Sequence, residues 1–192
     1  MRIIGGEFRG RKIKARQNPA VRPISGRIKK SLFDILKLYI PQARVLDLFA
    51  GTGAVGIEAL SRGASFAFFV DLNPHLLKEL EANLERTGMR QRARTHPGSA
   101  LEDLSWIPFR SGVSQFDLIF LGPPYKDLQK EPLTYSTPAL RRVHEAGLLA
   151  PGGLIVCQHH VKEPIEAPPG LELFRREKYG DTFLSFLRAA KA

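Results

Sequence analysis

Val45-Leu46-Asp47-Leu48-Phe49-Ala50-Gly51-Thr52-Gly53-Ala54-Val55-Gly56-Ile57-Glu58 decides the fold. Val45 to Phe49 reads as a short buried strand running into a tight turn, and Ala54 opens a helix. Asp47 stands inside the strand end, where burying a carboxylate is costly without a partner. Gly51 and Gly53 allow a positive φ and let the backbone come close to a ligand. Gly56 lets the helix lie tightly on the sheet. An ordinary strand–turn–helix of an α/β protein is the plainest alternative.

Two cofactors suit such a turn. Gly51, Gly53 and Gly56 match G-x-G-x-x-G, and Asp71 follows at the distance expected of a ribose ligand, as in dinucleotide-binding proteins. S-adenosylmethionine needs a similar glycine turn, an acid at the next strand end for the ribose, and an acid near the first turn. Asp47 separates the two. A pyrophosphate is repelled by a neighbouring carboxylate, whereas a methionyl ammonium is attracted to it. The Asp47-x-Phe49-Ala50-Gly51-x-Gly53 pattern therefore favours S-adenosylmethionine.

Outward from this turn, strands and helices alternate. The pattern predicts strands at 44–49, 66–71, 91–96, 116–121 and 153–158. Helices are expected at 54–62, 74–87, 99–105 and 137–147, with Gly152-Gly153 as the turn into the strand that follows. Two further strands, 171–177 and 182–189, flank Tyr179-Gly180-Asp181-Thr182, a hairpin signal. Such alternation implies a mostly parallel sheet covered on both faces, closed by an antiparallel hairpin. Before the turn, segments 2–5 and 11–14 read as a small hairpin, and Arg16 to Pro23 as an extended connection. A helix then runs from an N-cap at Ser25 to a stop at Pro41.

Charge points to the partner. The 192 residues carry 29 Lys+Arg against 19 Asp+Glu, a net +10. Residues 1–37 hold Arg2, Arg9, Arg11, Lys12, Lys14, Arg16, Arg22, Arg27, Lys29, Lys30 and Lys37 against only Glu7 and Asp34. A basic block of this kind suits a polyanion such as RNA. Cys157 is the only cysteine, which excludes an intrachain disulfide and a cysteine-cluster metal site. No signal peptide or membrane span is read, so a cytoplasmic location is expected.

In an open α/β sheet, ligands bind outside the carboxyl ends of the strands. That rule gathers Asp47, Gly51, Asp71, Asn73, Ser99 and the Gly122-Pro123-Pro124-Tyr125 run on one rim. Two consecutive prolines fix an extended turn and leave carbonyls free of competing amide donors. Tyr125 then offers a ring on which a planar group can stack. The run resembles the Asp/Asn-Pro-Pro-Tyr motif of methyltransferases that act on exocyclic amines of nucleobases.

With these motifs together, the chain resembles the RsmD family, bacterial methyltransferases of guanine N2 in 16S ribosomal RNA. The resemblance spans nearly the whole length, from Arg2-Ile3-Ile4-Gly5-Gly6-Glu7-Phe8-Arg9-Gly10-Arg11 through Arg22-Pro23-Ile24-Ser25-Gly26-Arg27-Ile28 and the glycine turn. It continues in Glu58-Ala59-Leu60-Ser61-Arg62-Gly63-Ala64 and Tyr179-Gly180-Asp181-Thr182. It implies a Rossmann-like α/β methyltransferase with a seven-stranded sheet, S-adenosylmethionine as donor, and 16S RNA, free or within a small subunit, as partner. A basic RNA-contacting extension at 1–40, a methyltransferase domain at 41–192 and a monomer are expected.

The site residues follow. Asp47, Phe49, Ala50, Gly51, Gly53, Asp71, Leu72, Ser99 and Ala100 are assigned to the cofactor, with Leu101 flanking adenine. Gly122, Pro123, Pro124 and Tyr125 are assigned to the guanine, and Arg9, Arg11, Arg22, Arg27, Lys29 and Lys30 to RNA phosphates. No metal is expected. The chain departs from the family pattern at Gly122 and Gly26, each where an acid is usual, and in His96-Pro97-Gly98-Ser99-Ala100, where an acid is common near Ser99. Losing a charged acceptor at Gly122 costs about 1.5–3 kcal/mol, a tenfold to hundredfold slower reaction. Asp117 lies too far back along its strand to substitute, which leaves Gln158, His159 and His160 as candidates. Two readings compete: a non-catalytic RNA-binding or ribosome-assembly factor, and an S-adenosylmethionine enzyme acting on a small molecule or protein side chain, against which the basic extension argues.

Overall fold

The computed structural model describes residues 1–14, 24–127, 129 and 131–190. The whole connection expected at Arg16 to Pro23, Arg22 included, therefore lies outside the described residues. Among the described residues, seven strands form one sheet in the order β3-β2-β1-β4-β5-β7-β6. They are β1 (Arg44–Leu48), β2 (Phe66–Asp71), β3 (Ala93–Pro97), β4 (Phe116–Leu121), β5 (Leu149–His160), β6 (Leu171–Tyr179) and β7 (Thr182–Ala189). The first five run parallel, and β7 and β6 add the antiparallel hairpin. The order reverses between β1 and β4, so the crevice beyond their carboxyl ends is the natural ligand site.

The helices over the sheet are α1 (Gly26–Ile35), α2 (Gly56–Ser61), α3 (Pro74–Thr87), α4 (Ile107–Ser111) and α5 (Ser136–Glu145). On one face, Ile3, Ile13, Leu32 and Phe33 share a core with Val45, Phe69, Leu118 and Val156. The N-terminal segment and α1 thus pack directly onto the sheet. On the other face, Leu46, Phe68, Ile119 and Cys157 pack against Leu140 and Val143 of α5. Gly56 sits where a Cβ would strike the Phe69 ring, so its absence lets α2 lie close on β2.

Several expectations need correction. The expected hairpin of 2–5 and 11–14 is reduced to one bridge, Arg2 with Lys12. It is closed by Ile3 N–H donating to the Arg11 carbonyl at 3.0 Å and Ile13 N–H to that of Met1 at 2.9 Å. Ser25 caps α1 as expected, its Oγ accepting from Ile28 N–H at 3.2 Å. The helix ends at Ile35, however, and turns occupy the chain before Pro41. The helix expected at 99–105 is a turn, and α4 forms later. Pro at the first turn suits α4's start, and Gly112 in the left-handed region ends it. Gly152 and Gly153 lie inside β5, where the pairing with β4 shifts between Phe116 and Leu118. They make a bulge, with Gly152 at φ 73°, in place of the expected turn.

Candidate active site

β1 delivers its chain into a turn with three left-handed residues, Phe49 at φ 64°, Gly51 at 54° and Gly53 at 80°. A bulky non-glycine residue in this region is strained and marks a functional turn. Asp47, 2% exposed, reaches from β1 across the turn, and its Oδ2 accepts the Gly56 N–H at 2.9 Å. The carboxyl thus caps the start of α2, where backbone N–H groups and the helix dipole favour an acceptor. Burial pushes its pKa up to about 8, against the lowering effect of the Gly56 N–H, and the charge of Asp71 adds to the rise.

Asp71 ends β2 at the same rim. Its Oδ2 accepts the Gly51 N–H at 2.7 Å and its Oδ1 the Asn73 N–H at 2.9 Å. A carboxylate offers about four lone-pair sites, so two remain for a diol. Asn73 in turn caps α3 through His75 N–H at 3.0 Å. One acid therefore fixes both the glycine turn and the loop after β2.

A cavity of about 750 Å³ opens here, lined by Phe49, Gly51, Asp71, Leu72, Ser99, Ala100, Leu101, Gly122, Pro123, Pro124, Tyr125 and Tyr135, among others. Its size and mixed lining match a cofactor site of roughly 300–1,000 Å³. Leu72 is 73% exposed, an apolar surface placed for a planar ring to cover. Ser99 Oγ accepts the Leu101 N–H at 3.2 Å and shapes the loop after β3. Asp47, Ala50 and Gly53, although assigned to the cofactor from sequence, are not among the residues that line this cavity. Asp47 holds the turn through the Gly56 N–H. Phe49, Gly51, Asp71, Leu72, Ser99 and Ala100 fit S-adenosylmethionine: a diol acceptor, an apolar ring shelf and a close backbone turn.

Gly122-Pro123-Pro124-Tyr125 leaves β4 and lines the same cavity. Tyr125 OH donates to Thr182 Oγ1 at 3.2 Å and accepts from Gln158 Nε2 at 3.1 Å, tying the motif to β5 and β7. Of the candidates to replace an acid at 122, His159 faces away. Its Nδ1 meets the carbonyls of His160 at 3.1 Å and Glu163 at 3.0 Å, and its Nε2 meets Ser185 Oγ at 2.9 Å. Burial lowers its pKa to about 4. His160 meets the Tyr125 ring edge-on at 5.8 Å. Asp117 is held at the far end of β4 by Arg44, through contacts of 2.9 Å to each carboxylate oxygen, which keep its pKa below the usual carboxylate value.

The RNA candidates divide. Arg9, Arg27 and Lys30 are exposed, and Lys30 pairs with Asp34 at 2.7 Å. Arg11 lies over the Phe8 ring at 4.7 Å and donates to the Thr87 carbonyl at 3.2 Å. Lys29 is a correction: it is fully buried, 2.9 Å from Glu58, and cannot reach a phosphate. Glu58 was missed as a structural centre. Its only signal in the sequence was an acid on an otherwise apolar helix.

The family model described as conserved hypothetical protein 95 matches residues 1–188. The chain belongs to this family. Among the relatives is ribosomal RNA small subunit methyltransferase D of Escherichia coli K12, 32% identical over 179 residues, covering 93% of this chain and 84% of that one. The protein of the same name from Haemophilus influenzae is 31% identical over 181 residues, covering 94% and 89%. The solved structure of yhhF from Escherichia coli superposes with a TM-score of 0.78 at 28% identity, covering 98% and 97%. A hypothetical protein of Thermus thermophilus gives 0.77 at 33% identity, covering 97% and 98%. The family and its fold carry the resemblance read from the sequence, and S-adenosylmethionine is the cofactor.

Proposed function

We propose that the protein methylates the exocyclic N2 amine of a guanine in small-subunit (16S) ribosomal RNA. One observation carries this reading: the Pro123-Pro124-Tyr125 run lines the same cavity as Gly51 and Asp71. Such an arrangement brings a flipped-out base to the methyl donor. S-adenosylmethionine, when bound, supplies a methyl group on a sulfonium. The chain's own residues do the rest. Asp71 orients the ribose, Tyr125 stacks on the guanine, and the Pro123 carbonyl accepts one amine hydrogen so that the nitrogen lone pair faces the methyl carbon. Positioning of this kind supplies most of the acceleration, and the base is presented out of its stack.

Residues 1–40 form the RNA-contacting extension in this proposal, with 41–192 as the methyltransferase domain. Arg9, Arg11, Arg27 and Lys30 would engage phosphates, Arg22 remaining a candidate from sequence. The protein acts as a cytoplasmic monomer. The relatives named for ribosomal RNA small subunit methylation support the substrate. Gly122 supports a second reading, an RNA-binding factor that keeps the cofactor but transfers nothing.

The test is methyl transfer from labelled S-adenosylmethionine to unmethylated small-subunit RNA, free and as assembled particles. Label mapped to guanine N2 is expected. Cofactor and RNA binding without transfer to either substrate would establish the second reading instead. RNA affinity that barely changes with salt would count against both, since phosphate contacts release counterions.

A further inference from the structure

A second cavity, of about 370 Å³, lies between the start of α1 and the β6–β7 turn. Arg27, Tyr125, Gln158, Lys178 and Thr182 are in its lining. Tyr125 also lines the cofactor cavity, so one ring is a wall of both. Arg27 and Lys178 are exposed cations at its edge.

Gln158 is 8% exposed, and its Oε1 is buried without a hydrogen-bond partner among the described residues. The orientation of the amide follows from its neighbours. The Asp181 carboxylate accepts from Thr182 Oγ1 at 3.5 Å. Thr182 therefore accepts from Tyr125 OH, and Tyr125 from Gln158 Nε2. Each hydroxyl has one hydrogen to give. The chain runs in one direction and leaves the Gln158 carbonyl as the orphan. A buried acceptor without a donor is costly, and such an atom calls for an explanation.

Register supplies one. Leu121 pairs with Cys157, so Gly122 and Gln158 are the next residues along the two neighbouring strands. Gln158 follows Val156 by two residues and Gly122 follows Phe120 by two, which places them on the same face of the sheet. Gln158, which carries the orphan acceptor, thus stands beside the position that lacks one.

We propose that this second cavity receives the target guanosine, with its N2 amine donating to Gln158 Oε1 and its phosphates on Arg27 and Lys178. This rests on the guanine reading above. The amide takes the role of the missing acid at Gly122. It accepts one amine hydrogen and so aims the nitrogen lone pair. The guanine nitrogen forms its bond to the methyl carbon as the carbon–sulfur bond breaks to leave the thioether, and the surplus proton passes to water. A neutral amide suffices because no base is needed before attack.

The test compares the unaltered protein with Gln158→Met, which keeps the length but removes the acceptor, and Gln158→Glu, which keeps an acceptor. Methyl transfer to small-subunit RNA and the Kd for S-adenosylmethionine are measured for each. Gln158→Met is expected to lower kcat by roughly ten- to a hundredfold with unchanged cofactor affinity, while Gln158→Glu retains most of the rate. Transfer by the unaltered protein with an undiminished rate in Gln158→Met overturns the inference and leaves the guanine reading standing. Failure of the unaltered protein to transfer at all removes that reading and this one with it. Should Gln158→Met fail to fold, Arg27→Ala and Lys178→Ala, both at the surface, carry the test. Each is expected to raise KM for RNA severalfold, and an unchanged KM for both overturns the assignment of the cavity.

Discussion

Lys29 Nζ lies 2.9 Å from Glu58 Oε2, with both side chains out of water. Lys29 also donates to the Arg2 carbonyl at 2.8 Å. Glu58 takes two further donors, Ile4 N–H and Arg62 Nε, each at 2.9 Å. One carboxylate therefore ties the N-terminal segment and α1 to α2, the helix that follows the glycine turn. Removing one member of a buried pair strands the other, which costs about 3–5 kcal/mol. Lys29→Ala is expected to lower unfolding free energy by that order in denaturant titration. Lys30→Ala, whose pair with Asp34 is exposed, is expected to change stability by less than about 1 kcal/mol. In RNA binding at low salt the order reverses, because only Lys30 reaches solvent. Equal stability losses for the two would show that Glu58 does not depend on Lys29.

Asp47 makes stability depend on pH in a direction opposite to that of most carboxylates. Its pKa is raised in the folded chain to about 8, first by burial. In the unfolded chain it ionises near the ordinary carboxylate value. The stabilisation is therefore complete below that ordinary value and is lost as pH rises toward and through about 8. Asp47→Asn removes the titration yet can still accept the Gly56 N–H. The Tm of the variant relative to the unaltered protein should climb as pH goes from about 5 to about 9. A gap that stays constant over this range would mean that Asp47 remains ionised in the fold.

Asp71 gives the corresponding prediction for the cofactor. It accepts the Gly51 and Asn73 N–H groups, so Asp71→Ala frees the glycine turn and removes the diol acceptor together. Affinity for S-adenosylmethionine should fall by roughly ten- to a hundredfold, the worth of a charged hydrogen bond. Isothermal titration checks it. Asp71→Asn should recover part of the loss, since one amide oxygen can still accept. Full affinity in Asp71→Ala would remove Asp71 from the site.

The parallel sheet, its order of strands and helices and the cofactor rim were legible in the sequence because each rests on local pattern. Apolar runs of Leu, Ile, Phe and Val marked β1, β2 and β4, and glycines marked the turn. Lys29 was not legible. Its burial depends on Glu58, distant in sequence, and helical periodicity sees only its own helix. The helix expected at 99–105 failed for a related reason. Ser99 bonds the Leu101 N–H and Asp103 the Ser105 N–H at 3.0 Å, local contacts that compete with a helix. Gly152 and Gly153 carry turn chemistry, but continued pairing with β4 overrode it.

Gly122 is where sequence and structure together sharpen the question. From sequence, a glycine in place of an acid is only a missing group. In the structure the space is filled: a Cβ on Gly122 would lie 2.7 Å from Phe120 Cε1 and 3.4 Å from its Cζ. Phe120 is buried beside Asp47, its partner on β1, so the ring has little room to yield. Gly122→Asp alone should therefore overpack the strand end, lowering stability by about 1–3 kcal/mol. It should not raise kcat. Coupling it with Phe120→Leu gives the carboxylate room, and the double variant should regain stability relative to Gly122→Asp and transfer methyl groups faster than Phe120→Leu alone. Thermal unfolding and single-turnover transfer on the four proteins separate the effects. A Gly122→Asp protein as stable as the unaltered chain and faster would show that the Phe120 ring moves freely, and that the glycine is a simple loss. The predicted outcome instead makes the glycine and the ring a coupled pair, in which a carboxylate at 122 needs a smaller side chain at 120.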